Sequence, residues 1–192
     1  INLVSTCIDF NVTLNKAKSF SYSDFTSYFR EEMEKLLGSD YKPDYVAIST
    51  MFTAAYQSSI DLAELSRELF PETLILVGGN LPTAMYKEIL DDSVAVDAIC
   101  YGEGEKAFLD LISSSEKLKY LADSQSWVTH EKLLNKEAKY AHDFIWNLDE
   151  IPFLDYDMLD VEGYKLNPTS SRYSVADKYE IDDVDGNLSM EE

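Results

Sequence analysis

Cysteine is scarce in this sequence, and its scarcity narrows the chemistry that the chain can carry. The cysteines are Cys7 and Cys100, which lie far apart, each within an apolar run, where a free thiol behaves as a small buried hydrophobic group. Two separate cysteines cannot supply the three thiolates of an iron–sulfur cluster, and the sequence has no Cys-x-x-Cys pair for structural zinc. We therefore predict no disulfide framework, no metal site and no complete catalytic site within the chain.

Basic side chains and long apolar runs are also few. The 16 lysines and arginines are outnumbered by 36 aspartates and glutamates, which gives a formal charge of −20. Such a field repels phosphate backbones and anionic lipids, so we expect neither nucleic acid nor membrane as a partner. No apolar run reaches the roughly 18 residues of a membrane span, and no basic segment precedes the apolar residues 1–4. We predict neither a spanning helix nor a signal peptide, and a cytoplasmic location.

What the sequence does contain is an alternation of strand and helix patterns. Short apolar runs predict strands at residues 2–8, 45–48, 73–77 and 95–100, with a further strand candidate at residues 127–129. Apolar residues at helical spacing predict helices at residues 23–38, 56–69, 83–90 and 105–112. Ser23 is the predicted N-cap of the first helix, Gly38 ends it, and residues 9–18 have loop character.

This alternation predicts an α/β fold. Strands separated by helices require right-handed βαβ crossovers, so we expect a flavodoxin-like or Rossmann-like, mostly parallel sheet with helices on both faces. Sheets of this class commonly have five or more strands, and we expect an initial strand upstream of Ile1. The predicted division is an α/β domain at residues 1–122, a hairpin and connector at residues 123–160, and an acidic tail or fragment of a next domain at residues 161–192.

Parallel topology also predicts where a ligand binds. The segments that follow Ile48, Val77 and Cys100 leave the sheet at the same edge, where ligands of such folds bind. Small and hydroxyl side chains are common in these segments. The candidate cofactor-binding residues are Ser49, Thr50, Met51, Gly78, Gly79, Asn80, Tyr101, Gly102, Glu103 and Gly104.

Each of these segments also has a purely structural explanation. Gly78 and Gly79 either let a flat group approach the backbone or simply end a strand. Ser49 and Thr50 either bind a ligand or cap the helix predicted at residues 54–70. The carboxylates around Gly104 repel phosphate, and no Gly-x-Gly-x-x-Gly follows the first strand, so a neutral, amide-bearing ligand fits this edge better than a polyanion.

Four motifs in order resemble a known family. They are residues 43–50 (PDYVAIST), 77–80 (VGGN), 96–105 (VDAICYGEGE) and 148–156 (LDEIPFLDY). Together they resemble the cobalamin-binding domain of radical-SAM proteins, among them anaerobic magnesium-protoporphyrin ester cyclases and related methyltransferases. The resemblance covers residues 1–160.

The resemblance implies a cofactor and a partner domain. It implies that cobalamin binds at the sheet edge, with its nucleotide tail near Ser49, Thr50, Gly78 and Gly79, while the corrin faces the next domain. That domain would carry an iron–sulfur cluster on Cys-x-x-x-Cys-x-x-Cys, cleave S-adenosylmethionine and lie downstream in the same polypeptide. The chain would then be part of a methyltransferase-type or cyclase-type enzyme. The Asp-x-His-x-x-Gly motif that supplies a lower cobalt ligand in many cobalamin domains is missing, and His130 and His142 are predicted to be surface or hairpin residues.

Two other functions fit the same pattern. The domain could be degenerate, bind no cobalamin and only position a neighbouring radical-SAM barrel. It could also be a receiver-like partner-binding domain, for which Asp9 is the only aspartate near the end of the first predicted strand. Residues 181–192 match several positions of an EF-hand loop, but Ile181 stands at the position of the first acidic ligand, so we interpret this segment as a solvated acidic tail.

Overall fold

The computed structural model describes residues 4–16, 22–38, 41–153, 155–161 and 163. The chain divides into two compact units, of which one comprises Ile1–Val4 with Tyr22–Phe153 and the other Ser5–Ser21 with Leu154–Glu192. The acidic tail predicted at residues 161–192, including the EF-hand-like segment, lies outside the described residues except for positions 161 and 163. The division predicted at residues 122 and 160 stays a prediction.

Most of the described secondary structure belongs to the larger unit. Its strands are β1 (Tyr45–Ser49), β2 (Leu74–Gly78), β3 (Ala98–Cys100) and β4 (Trp127–Val128). In chain order the described helices are α1 (Phe10–Lys16), α2 (Phe25–Leu37), α3 (Tyr56–Leu69), α4 (Asn80–Ala84), α5 (Tyr86–Asp92), α6 (Glu105–Ser113), α7 (Lys117–Asp123) and α8 (His130–Leu134). Short 3₁₀ turns occur at Thr53–Ala55, Leu148–Glu150 and Tyr156–Met158. Among these described elements, α1 and the last 3₁₀ turn belong to the smaller unit.

The four strands form one mostly parallel sheet in the order β1-β2-β3-β4. β1 and β2 run parallel with Ser49 opposite Gly78, and β2 runs parallel to β3. β4 is antiparallel to β3 and pairs Val128 with Ile99. The predicted fold class, an α/β fold with a mostly parallel sheet, is confirmed, and the strand candidate at residues 127–129 is the antiparallel edge.

Helices cover both faces of the sheet. On one face, α3 and α5 pack onto the sheet through buried aliphatic side chains that include Ile60, Ile89 and Leu90. On the other face, α6 and α7 pack through Ala107, Leu111 and Leu121, together with Trp127 of β4. Side chains alternate between the faces along each strand, so β2 supplies Leu76 to the second face and Ile75 and Val77 to the first.

One ion pair joins α3 to the segments that precede β2 and β3, at the amino ends of these strands. Arg67 donates hydrogen bonds to the carbonyls of Pro71 (2.9 Å), Thr73 (2.8 Å) and Ala95 (3.1 Å), and to the Asp97 carboxylate (2.6 Å). The same carboxylate accepts a hydrogen bond of 2.7 Å from the backbone N–H of Ile75. Asp97, which belongs to one of the family motifs, thus fixes the start of β2 and the approach to β3.

The predicted N-terminal strand is wrong within the described residues. Residues 4–9 are irregular, and α1 follows inside the predicted loop. The Asp9 carboxylate accepts hydrogen bonds from the backbone N–H groups of Asn11 (2.9 Å) and Val12 (3.2 Å), which starts this helix as an N-cap does. A strand also needs a paired neighbour, and no described strand pairs with this segment.

Other differences concern the ends of elements. Asp24, not Ser23, caps α2, because its carboxylate accepts a 2.7 Å hydrogen bond from Ser27 N–H. The helix predicted at residues 83–90 is two helices interrupted at Met85, and the strand predicted at residues 95–100 is paired only from Ala98 onward. Helices α7 and α8 were not predicted.

Candidate functional site

The turns after β1, β2 and β3 meet at the carboxyl edge of the sheet, as the parallel topology predicts. Thr50 N–H donates to the Gly78 carbonyl (3.0 Å), and Leu81 N–H donates to the Thr50 carbonyl (3.4 Å). The third turn joins them through Gly102 N–H, which donates to Thr83 Oγ1 (3.1 Å). Hydrogen bonds therefore connect the first two turns through their backbones, and the third turn through the side chain of Thr83.

A cavity of about 710 Å³ opens between these turns, and we call it the rim cavity. Its floor is the sheet face on which α6 and α7 pack, at a place where the strands carry small side chains. These are Ala47 and Ser49 of β1, Gly78 of β2 and Cys100 of β3. Because side chains of one face recur at every second residue, these small residues lie next to one another and leave the space open.

Most of the predicted site residues line this cavity. They are Ser49, Met51, Gly78, Gly79, Asn80, Gly102, Glu103 and Gly104. Thr50 and Tyr101 do not line it. Thr50 is buried, and its hydroxyl has no hydrogen-bond partner among the described residues. Tyr101 packs among aromatic rings, at 5.8 Å from the ring of Tyr140.

The capping role that Ser49 and Thr50 could have had is absent. Helix α3 begins after the 3₁₀ turn Thr53–Ala55, and neither element receives a side-chain cap. The alternative of a structural cap is therefore wrong for both residues. Ser49 is exposed to the rim cavity, while the backbone of Thr50 connects the first two turns.

The adjacent residues Gly78 and Gly79 meet different structural requirements. Gly79 has φ 109° and ψ −176°, a conformation open essentially to glycine alone, and a Cβ there would overlap the Thr50 carbonyl oxygen. Gly78 has no positive φ, and a Cβ there would touch only the Cys100 Cβ at 3.5 Å, an ordinary contact. Gly79 is thus required by the turn itself, whereas Gly78 only keeps the floor of the cavity open.

Residues 141–146 form a further wall that the sequence did not predict. Ile145 N–H donates to Glu103 Oε2 (3.0 Å), Asp143 pairs with the ammonium group of Lys106, and Ala141 N–H donates to the Gln125 carbonyl (3.1 Å). This segment, which we call the strap, contributes His142 and Phe144 to the rim cavity. The only signal in the sequence was its aromatic content, which does not reveal the contact.

The charges at the rim favour a neutral or cationic ligand. No lysine or arginine is among the residues that line the cavity in the described structure, while Glu103 and Glu105 are. The nearby Lys106 is engaged by Asp143 and Asp110, which raise the pKa of its ammonium group. Burial raises the pKa of the Cys100 thiol to about 11, so this group stays protonated and uncharged near neutral pH.

Two further observations bear on ligands. The described residues include no group of three or more histidine, cysteine or acidic side chains arranged to hold a metal ion. None of the described helices combines the length and apolar character that crossing a bilayer requires.

The part of the chain that forms this edge is similar to a known protein family. The model of the B12-binding domain family matches residues 25–112, which include β1, β2, β3 and the turns that line the rim cavity. Residues 25–112 are thus similar to a B12-binding domain. The resemblance inferred from the motifs is therefore confirmed for this part of the chain.

The chain is also similar to three larger proteins. It is 32% identical over 138 residues to an anaerobic magnesium-protoporphyrin IX monomethyl ester cyclase of Rubrivivax gelatinosus, covering 70% of the chain and 24% of that protein. It is 25% identical over 153 residues to an uncharacterized methyltransferase of Pyrococcus horikoshii, covering 79% of the chain and 30% of that protein. A cyclase of the same name from Cereibacter sphaeroides is 29% identical over 107 residues, covering 52% of the chain and 17% of that protein. The matched part is less than a third of each relative, and no solved structure matches the chain.

Proposed function

We propose that the B12-binding domain of this chain binds cobalamin in the rim cavity. The observation that carries the proposal is the 710 Å³ cavity at the carboxyl edge of the sheet, over a floor of small side chains. A side chain at Gly78 would project into this space without disturbing the backbone around it. The residues thus leave room for a bulky group at the edge where parallel sheets bind their ligands.

The polar groups of the cavity suit an amide-rich ligand. Ser49 and Asn80 offer a hydroxyl and an amide, and Glu103 and Glu105 offer carboxylates that can accept hydrogen bonds from amide N–H groups. The absence of lysine and arginine from the described lining argues against a polyphosphate ligand. Bound cobalamin would supply its cobalt–carbon chemistry, while this chain's residues bind and orient it.

We further propose that the chain acts as one module of a larger radical-SAM enzyme of the methyltransferase or cyclase type. The names of its relatives and their greater length support this assignment. An iron–sulfur cluster and S-adenosylmethionine would belong to another part of the polypeptide, because the two cysteines of this chain cannot hold a cluster. The receiver-like alternative loses its support, since Asp9 caps α1 and does not follow a strand.

Cobalamin binding can be tested directly. The purified chain is incubated with hydroxocobalamin or methylcobalamin and separated by gel filtration, and we expect the corrin spectrum to co-elute with the protein. Gly78→Leu should weaken binding at least about tenfold, because the new side chain occupies the cavity floor, a loss of roughly 1.4 kcal/mol.

A matched control separates this effect from a general loss of folding. Ala122→Leu introduces the same side chain at an exposed position of α7 and should bind cobalamin like the unmodified chain. The proposal is wrong if the unmodified chain carries no corrin, or if Gly78→Leu and Ala122→Leu bind cobalamin equally well.

A further inference from the structure

The strap is attached to the rest of the larger unit in different ways at its two ends. At its amino end, Ala141 N–H donates to the Gln125 carbonyl (3.1 Å). The ring of the preceding residue, Tyr140, lies 5.8 Å from that of Tyr101, and His142 packs against Tyr101 at 4.9 Å. A backbone hydrogen bond and a cluster of aromatic rings therefore fix the beginning of the strap.

The carboxyl end of the strap is held by polar contacts at the surface. Among the described residues, Ile145 N–H donates to Glu103 Oε2 (3.0 Å), and the Asp143 carboxylate pairs with the ammonium group of Lys106. The side chains of this ion pair are 50% and 35% exposed, and the next residue, Trp146, is 92% exposed. Segments that few and solvent-exposed contacts hold in place open at a low cost in free energy.

The loosely held part of the strap includes a wall of the rim cavity. Phe144 lies between the two polar contacts and lines the cavity, and its ring stacks on that of His142 at 5.2 Å. Glu103 and Lys106 lie on the opposite side of this contact, in the turn after β3 and in the first turn of α6. Displacement of residues 143–146 would therefore remove one wall and widen the mouth of the cavity.

The size of the cavity indicates that a wall must move. Its volume of about 710 Å³ lies within the range of about 300–1,000 Å³ that is usual for drug-sized ligands, and cobalamin, with a corrin ring and a nucleotide tail, is larger than these. The turns after β1 and β2 are joined by backbone hydrogen bonds, and Gly79 fixes their approach. The strap is therefore the wall that can be displaced at the lowest cost.

We propose that the strap is a gate of the rim cavity, which opens about residues 141–142 and is held closed by the Lys106–Asp143 ion pair and the Glu103–Ile145 hydrogen bond. The identity of the ligand that passes the gate rests on the proposed cobalamin binding, whereas the closing contacts do not depend on it. Lys106 is not among the residues that line the cavity. It is a positioning residue, which acts on a ligand only through the strap.

Amide hydrogen exchange of the ligand-free chain tests the closing contacts. Lys106→Met should speed exchange of the Ile145 amide about fivefold, the equivalent of roughly 1 kcal/mol, because a partly exposed ion pair contributes at most about this much. Exchange of the Ala141 amide should not change, since its hydrogen bond belongs to the fixed end. Asp143→Ala should have the same effect as Lys106→Met, and the double variant should exchange no faster than either single variant.

Lys119→Met is the matched control. It also removes a lysine that pairs with a carboxylate at the surface, that of Glu116 at 3.4 Å, but this pair lies at the start of α7 and does not involve the strap. Exchange of both the Ile145 and the Ala141 amide should therefore equal that of the unmodified chain.

The kinetics of methylcobalamin binding test the gate itself. Quenching of the fluorescence of the two tryptophans follows binding in a stopped-flow experiment. Lys106→Met should raise the association and dissociation rate constants about fivefold each and leave Kd unchanged, because it weakens the closed strap equally with and without ligand. A residue that contacts the ligand would instead change Kd.

The outcomes separate this inference from the proposed function. Unchanged exchange of Ile145 in Lys106→Met, or equal acceleration at Ala141 and Ile145, would overturn the gate whether or not a corrin binds. Binding rates that match those of the unmodified chain, or a changed Kd, would overturn it as well. A chain that binds no corrin but shows the expected exchange would refute the proposed function and support the closing contacts.

Discussion

Replacing Gly79 by alanine is expected to destabilise the chain, and the structure allows us to estimate the decrease in the free energy of unfolding. The φ of 109° with ψ of −176° is a glycine conformation, and forcing another residue into it costs about 1–3 kcal/mol. The new Cβ would also overlap the Thr50 carbonyl oxygen, so the two turns must separate and the Leu81 N–H hydrogen bond to that oxygen is lost, at about 1 kcal/mol. The free energy of unfolding should therefore fall by about 2–4 kcal/mol.

The neighbouring glycine is the control. Gly78→Ala adds the same methyl group one residue earlier, where it meets only the Cys100 Cβ at 3.5 Å, and its φ is not positive. We expect its free energy of unfolding to stay within about 1 kcal/mol of the unmodified chain, since alanine also reduces the entropy of the unfolded state.

Urea denaturation followed by circular dichroism measures both variants, and thermal melts should place Gly79→Ala roughly 10 °C lower. Equal stability of the two variants, or a loss below about 0.5 kcal/mol for Gly79→Ala, would refute the assignment of Gly79 to the turn.

Two other predictions concern the ion pair and the thiols. Arg67→Met should lower the free energy of unfolding by about 2–3 kcal/mol, because it removes the ion-pair partner of Asp97 and the guanidinium donor to three carbonyls. Arg30→Met, which breaks a more exposed pair, should lower it by less than about 1 kcal/mol, and similar losses would contradict the role of Arg67. In the native chain at about pH 8, Cys7 should react quickly with a disulfide reagent and Cys100 only after denaturation, because Cys100 is 4% exposed and burial raises the pKa of its thiol to about 11. Equal reaction rates would contradict this burial.

The strands and helices that were predicted well are those whose residue pattern lies within the segment itself. β1 and β2 are continuous apolar runs, and α3 has an amphipathic pattern that ends before Pro71. Their order and spacing were sufficient to predict parallel pairing, and hence that the turns after Ile48, Val77 and Cys100 meet at one edge. This part of the fold, and with it most of the cavity lining, follows from local patterns and one rule of handedness.

The elements that were missed depend on contacts distant in sequence. Residues 2–8 have strand composition, but composition cannot supply the paired neighbour that a strand needs, and Asp9 starts a helix instead. His142 is exposed, as predicted for a surface residue, but no pattern around it indicates that its ring rests on Gly102. Thr50 resembled a ligand-binding or capping residue, but folding buries its hydroxyl.

The family motifs themselves contribute more to building the edge than to contacting a ligand. Asp97 is bound by Arg67 at the far end of β3, and Gly79 is fixed by its approach to Thr50, so both have a structural role whether or not cobalamin binds. Loss of binding in a variant of either residue would therefore not distinguish a damaged turn from a lost ligand contact. Gly78 is the informative position, because it keeps the cavity open without strain. Cobalamin binding is best decided at this residue, which does not hold the turns together.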